Sequence, residues 1–357
     1  MENIDRDSSF DSNHGNLDCV RQLTQELSDY KRTLRGQRRR MEDPSFHKQL
    51  QSYKNLISVL GSSDDFQNHP LRGIPHKLKM YEFAASHGIK VPEIFEVWNN
   101  ASGIILQTLP DEFVLKSDGG SSSRGVIPLR RVSQDCYERI GSGETYTEKE
   151  VREEFIEGSR RGLAYGCIFA EEMIHQRGYS RSPIPDDIKI YSAYGKTMMV
   201  MLRQVSGTGS SAGIARRYLS ADGTDLGAVS ETALVDDGIV VPENLPDLIS
   251  VANHLSSAIG IPFCRVDLYS STRGILFGEI TRAPGDTQLY TLEHDRFLGR
   301  MWLEAEARLQ MDMQRGRPAG SLWGLKRFMN LYPERDAESR IRRVMNFQAC
   351  RDWCIVA

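Results

Sequence analysis

The chain has 357 residues, 39% hydrophobic and 26% charged, with a formal net charge of -3 at pH 7. That length accommodates two or three compact subdomains. The near-neutral charge gives no support to nucleic-acid binding, which usually rests on a basic excess, and no apolar run reaches the roughly 18 residues a membrane span needs. The segment from Met1 to Gly15 lacks the basic and apolar regions of a secretory signal, so a cytoplasmic location is expected. The six cysteines, Cys19, Cys136, Cys167, Cys264, Cys350 and Cys354, are scattered, as free thiols of a reducing compartment would be. Only Cys350 and Cys354 are close, one helical turn apart, and no second pair or histidine couple marks a zinc site there.

Residues 1–68 read as a helical, partly disordered extension. Its basic run Arg38–Arg40 is either a solvated helix face or a contact for an anion. A small α/β unit is expected over 69–112. Lys77–His87 has helical spacing of apolar residues and stops at Gly88, and an extended segment follows from Ile89 to Trp98. Over 113–175, a strand Phe113–Lys116 leads through a Gly/Ser loop into a second strand, Val126–Leu129, which reads as a hairpin. A helix over Val151–Gly162 and a strand over Cys167–Met173 complete this part. Over 176–315, a strand pair turns at Gly195, and Gly207–Gly213 forms a second small-residue loop. The helix Leu245–Ala258 is capped by Gly260. The strands Cys264–Tyr269 and Ile275–Thr281 flank a turn, and Arg300–Met311 is helical. The tail 316–357 has helical stretches and no usable motif.

Two constellations carry chemistry. Lys116 precedes Ser117-Asp118-Gly119-Gly120-Ser121-Ser122-Ser123-Arg124-Gly125. Backbone N–H groups of such a loop close over phosphate oxygens, and the lysine adds a point charge. A serine-rich hairpin tip without a ligand is the plain alternative. In the second, Arg265-Val266-Asp267 lies on one strand and Glu279-Ile280-Thr281-Arg282 ends the next. Antiparallel pairing can bring Asp267 and Glu279 together, and Mg²⁺ would join two such carboxylates. Arg265, two residues before Asp267, shares its face and could meet developing charge. A surface hairpin with an Arg–Asp ion pair is the alternative here.

These blocks resemble the signature of the ATP-grasp superfamily. Lys116 through Gly125-Val126, Arg265-Val266-Asp267 and Glu279-Ile280-x-x-x-Pro284-Gly285 occur in its order over about residues 70–310. They are closest in pattern to D-alanine–D-alanine ligases. The layout, with Asp187-x-Lys189 and Phe277-Gly278-Glu279, is also similar to the teichuronopeptide-biosynthesis branch. The resemblance implies an α/β (α+β) protein of ATP-grasp fold, with ATP between a lid subdomain and a C-terminal sheet subdomain. It implies that Lys116 contacts the α/β-phosphates, that Gly119, Gly120, Ser121, Ser122, Ser123 and Gly125 form the lid, and that Glu171 and Glu172 lie on the adenine- and ribose-contacting strand. Lys189 matches a nucleotide-side lysine. Asp267 and Glu279, with Thr281 where the family usually has asparagine, would hold Mg²⁺, and Arg265 would stabilise the transferring phosphoryl group. Lys77 or Lys79 would open the central domain. Arg282, with Gly285, is expected at the substrate, where Arg282 either binds a carboxylate or makes a structural ion pair. The implied reaction joins a small-molecule or peptide carboxylate to an amine through an acyl-phosphate. The alternatives are a kinase acting on a hydroxyl and a nucleotide-binding regulator without turnover.

Overall fold

The computed structural model describes residues 20–33, 43–62, 69–120, 125–205, 214–285, 289–326, 330–333 and 350–354. Ser121, Ser122 and Ser123, the run Arg38–Arg40 and the loop Gly207–Gly213 lie outside them. Met1–Pro44 is one unit, in which a solvent-exposed helix (α1) spans 20–33. Ser45–Ala357 is the other.

The second unit is built on two six-stranded sheets. The first has the order β1-β6-β2-β3-β4-β5, from Ile94–Trp98 (β1), Glu112–Gly120 (β2), Val126–Ser133 (β3), Cys136–Arg139 (β4), Thr145–Tyr146 (β5) and Ala164–Glu172 (β6). The second has the order β10-β9-β8-β7-β11-β12, from Asp187–Ser192 (β7), Thr197–Val205 (β8), Ile214–Leu219 (β9), Leu234–Val235 (β10), Cys264–Ser271 (β11) and Gly274–Thr281 (β12). Every pairing is antiparallel except β9 with β10.

The helices are Phe46–Gly61 (α2), Pro70–Gly73 (α3), Lys77–Ser86 (α4), Glu148–Arg160 (α5), Leu245–Ile259 (α6), Leu292–Gln314 (α7) and Cys350–Trp353 (α8). Helix α5 begins earlier than its apolar spacing suggests. Thr147 and Glu150 form a capping box, the Glu150 N–H donating to the Thr147 hydroxyl and the Thr147 N–H to the Glu150 carboxylate. Helix α7 also starts before the expected Arg300, with Glu293 and Asp295 in a first turn whose positive dipole end favours them. Helix α6 ends at Gly260 in the left-handed conformation, φ 73°.

The expected N-terminal extension ends sooner than residue 68. Phe46 of α2 is fully buried, its ring 5.2–6.3 Å from those of Tyr191, Phe263, Tyr290 and Trp302. Apolar burial of that size draws the segment into the core. The tail does the same with Leu322, Trp323, Tyr332 and Cys354. Behind the first sheet, α5 places Val151 and Phe155 against Phe113, Leu115, Tyr137 and Ile168.

The cysteine expectation needs correction. Cys350 and Cys354 form a disulfide, because one helical turn brings their Cα atoms to 5.0 Å. Cys136, Cys167 and Cys264 form none. Among the described residues, no helix is long and apolar enough to cross a membrane.

Candidate active site

Strand alternation puts Asp187 and Lys189 of β7, Arg265 and Asp267 of β11, and Glu279 and Thr281 of β12 on one sheet face. Asp267 lies directly between Lys189 and Glu279 in the register, and Arg265 between Tyr191 and Thr281. The Asp267–Glu279 pairing depends on a bulge. From the two-residue turn at Thr272-Arg273 the register runs evenly to Leu268↔Phe277; it then skips Gly278, so that Glu279 meets Asp267. A Cβ on Gly278 would stand 2.8 Å from the Tyr269 ring and 3.0 Å from the Asp267 carbonyl, so the bulge takes glycine.

The side chains form one ionic network. Arg265 donates through Nε to Asp267 Oδ1 (2.6 Å) and through one terminal nitrogen to Asp267 Oδ2 (2.8 Å), Thr281 Oγ1 (3.0 Å) and Glu279 Oε1 (3.4 Å). Lys189 pairs with Asp267 and, at 3.3 Å, with Asp187. Asp187 also accepts from Arg203 (2.6 Å) and the Tyr269 hydroxyl (3.1 Å). Burial would raise the Asp187 carboxyl, but Lys189 and Arg203 outweigh it and hold it well below the usual carboxylate range.

The first sheet supplies a second network. Lys116 of β2 faces Phe169 of β6 in the register, and its Nζ lies 2.5 Å from Glu171 of the same strand. Helix α4 adds Lys77 and Tyr81, one turn apart on one side. The Tyr81 hydroxyl donates to Glu171 (2.7 Å), Lys116 donates to Tyr81 (3.3 Å), and Lys77 donates to the Ser117 carbonyl (3.2 Å). Both networks act on Glu279. Burial pushes its carboxyl up, but Lys189 and Arg265 from one sheet, with Lys77 and Lys116 from α4 and the other sheet, bring it below its ordinary value. Of the two lysines left open by the sequence, Lys77 is buried beside these carboxylates; Lys79 lies along Gly73.

Several expected residues sit differently. Gly119 and Gly120 are on β2, paired with Tyr165 and Ala164 of β6, and not in the loop. The Tyr165 ring lies over Gly119 where a Cβ would be, which fits a glycine in a strand. Asp118, expected in the loop too, is fully buried. It accepts from the Leu78 N–H (2.9 Å) and the Tyr332 hydroxyl (3.1 Å) and contacts His76 Nδ1 (3.0 Å). Gly125 closes the hairpin neck, its carbonyl accepting from the Ser117 N–H at 2.9 Å. Glu172 points away from Glu171 and pairs with Arg273 of the β11–β12 turn. Arg282 donates to the Leu71 carbonyl. Gly285 faces open space. Asn244, Asp186, Ile188, Leu202 and Ser270 line a groove on the opposite face of β7 and β11, away from the ionic network.

The donor chemistry fits Mg²⁺ and a nucleotide polyphosphate. Asp267, Glu279 and Thr281 are hard oxygen donors, and the Glu279 side chain is the open one, 39% exposed. Lys77, Lys116, Lys189 and Arg265 supply the cations that phosphate oxygens need.

The family described as TupA-like ATP-grasp matches residues 60–303, more than half of the sequence. The chain therefore belongs to the TupA-like ATP-grasp family, a nucleotide-binding, ligase-type α/β fold. No curated protein gives a significant match. Among solved structures the chain is similar to the VanG D-Ala:D-Ser ligase from Enterococcus faecalis, at 14% identity and TM-score 0.44 over 67% of this chain and 63% of that one. It is also similar to the D-alanine–D-alanine ligase from Bacillus anthracis complexed with ATP, at 13% identity and TM-score 0.40 over 68% and 69%. A RimK domain ATP-grasp protein from Sphaerobacter thermophilus matches at 12% identity and TM-score 0.39 over 65% and 68%. The chain thus spans less than two thirds of the length of the VanG ligase.

Proposed function

We propose that this chain is an ATP- and Mg²⁺-dependent ligase that activates a carboxylate as an acyl-phosphate and passes the acyl group to an amine, releasing ADP and phosphate. The observation that supports it best is the pairing of Asp267 directly opposite Glu279, with the Arg265 guanidinium reaching both and Lys189 on Asp267. Lys116 and Lys77 would neutralise the nucleotide phosphates on the first-sheet side. Asp267, Glu279 and Thr281 would hold Mg²⁺, which supplies positive charge next to the phosphate oxygens. Arg265 is held by two hydrogen bonds to Asp267 and is therefore preorganised. It would stabilise charge on the phosphoryl group as the substrate carboxylate attacks it. Attack of the amine on the acyl-phosphate then forms the amide and expels phosphate.

A screen for ADP release against mixtures of amino acids, peptides and uronic acids, with mass spectrometry of the products, tests the reading. An amide product with one ADP per bond is expected. A stable phosphorylated hydroxyl would make the protein a kinase instead, and no release with any acid would leave only nucleotide binding.

A further inference from the structure

His87 follows α4, His254 lies on α6, Cys350 opens the C-terminal turn α8 and Cys354 directly follows it. The chain thus gathers them from three distant stretches. His87 Nδ1 is 2.9 Å from His254 Nε2 and 3.4 Å from Cys350 Sγ. One nitrogen from each histidine and the Cys350 sulfur all lie within 4.8 Å of one another. Cys354, bonded to Cys350, holds a second sulfur beside the Cys350 sulfur at the edge of this three-residue group. The other ring nitrogen of His87 lies 3.0 Å from the Leu322 carbonyl oxygen. A carbonyl only accepts, so Nε2 carries the proton and Nδ1 presents a bare lone pair to the cluster. A backbone carbonyl behind a ligating imidazole is the usual way to fix its tautomer.

We propose that, with Cys350 and Cys354 in the dithiol state, His87, His254, Cys350 and Cys354 form a structural zinc site that fastens the C-terminal turn to α4 and α6. Zinc takes four nitrogen and thiolate ligands tetrahedrally. Zn–N near 2.0–2.1 Å and Zn–S near 2.3 Å imply ligand edges of about 3.3 Å for N···N and about 3.6 Å for N···S. The present 2.9 and 3.4 Å need to open by only a few tenths of an ångström. The disulfide and the zinc site are alternative states of the same two sulfurs. A dithiol reductant donates two electrons and two protons to the S–S bond, gives two thiols, and becomes a cyclic disulfide itself; zinc binding then releases the thiol protons. The site is independent of the ATP chemistry, at the opposite end of α4 from Lys77.

The experiment uses the full chain, reduced with dithiothreitol, freed of metal, and returned to excess Mg²⁺. One Zn²⁺ per chain should bind. Co²⁺ should give a thiolate charge-transfer band with tetrahedral ligand-field bands, which a carboxylate site cannot produce. Cys350→Ser and His254→Gln should each weaken zinc binding by more than the about 10–100-fold that loss of an outer partner costs. Should a variant fail to fold, alkylation of the unmutated chain decides: Zn²⁺ should protect Cys350 and Cys354. No zinc uptake by the reduced chain, or equal alkylation with and without Zn²⁺, would overturn the site.

Discussion

Asp267 and Glu279 stand directly opposite each other on β11 and β12, and the Arg265 guanidinium reaches both. Their surroundings differ. Asp267 is buried and balances Arg265 and Lys189, whereas the Glu279 side chain is 39% exposed. Asp267→Asn should therefore cost both turnover and stability, about 3–5 kcal/mol, the range for breaking a buried pair. Glu279→Gln should remove most turnover with a smaller loss of stability than Asp267→Asn, because its side chain is partly exposed. Thermal melts beside ADP-release assays check both; full activity of Glu279→Gln at limiting Mg²⁺ would refute its role.

Arg265 is expected to act as charge develops. Arg265→Ala should lower kcat by about 10²–10³-fold, the scale for one preorganised donor, with a small change in KM for ATP. A large KM change at constant kcat would place it in ground-state binding instead.

Lys116, Glu171 and Tyr81 form a buried triad. Lys116→Met strands the Glu171 carboxylate and should destabilise the fold strongly. Adding Glu171→Gln should restore much of the stability without restoring nucleotide binding. A double-mutant cycle with calorimetric ATP titration separates the two effects.

Glu82 of α4 is buried and accepts the Leu331 N–H at 2.8 Å; burial raises its carboxyl to about 7. The unfolded chain ionises this group near 4.5, so between those values the folded state holds the extra proton. Stability should therefore fall as pH rises from about 4.5 to about 7 and then level off. Glu82→Gln should flatten that decline, worth about 3 kcal/mol at most by the energy per pKa unit. Denaturant unfolding at a series of pH values reads it directly.

The shared strand face of Arg265 and Asp267 was legible in the sequence, because a period of two fixes which side chains meet. The Asp267–Glu279 register needed more. The bulge at Gly278 has no spacing signal, although the glycine between Phe277 and Glu279 was its one trace. Contacts made by distant segments were not legible. Tyr81 reaches Glu171 and Tyr332 reaches Asp118 only after the sheets and helices pack. The His87–His254–Cys350 cluster is invisible for the same reason, since no fixed spacing links its members. The loop glycines 119 and 120 were misplaced because glycine marks turns by default, while here it makes room for the Tyr165 ring.

The central claim is that ATP is cleaved at its γ-phosphate to activate a carboxylate. The direct measurement is the nucleotide product formed per amide in a turnover assay, followed by chromatography and ³¹P NMR, with Glu279→Gln as the inactive control. The account predicts one ADP and one inorganic phosphate per bond. Stoichiometric AMP and pyrophosphate would contradict it, because attack would then have fallen on the α-phosphate.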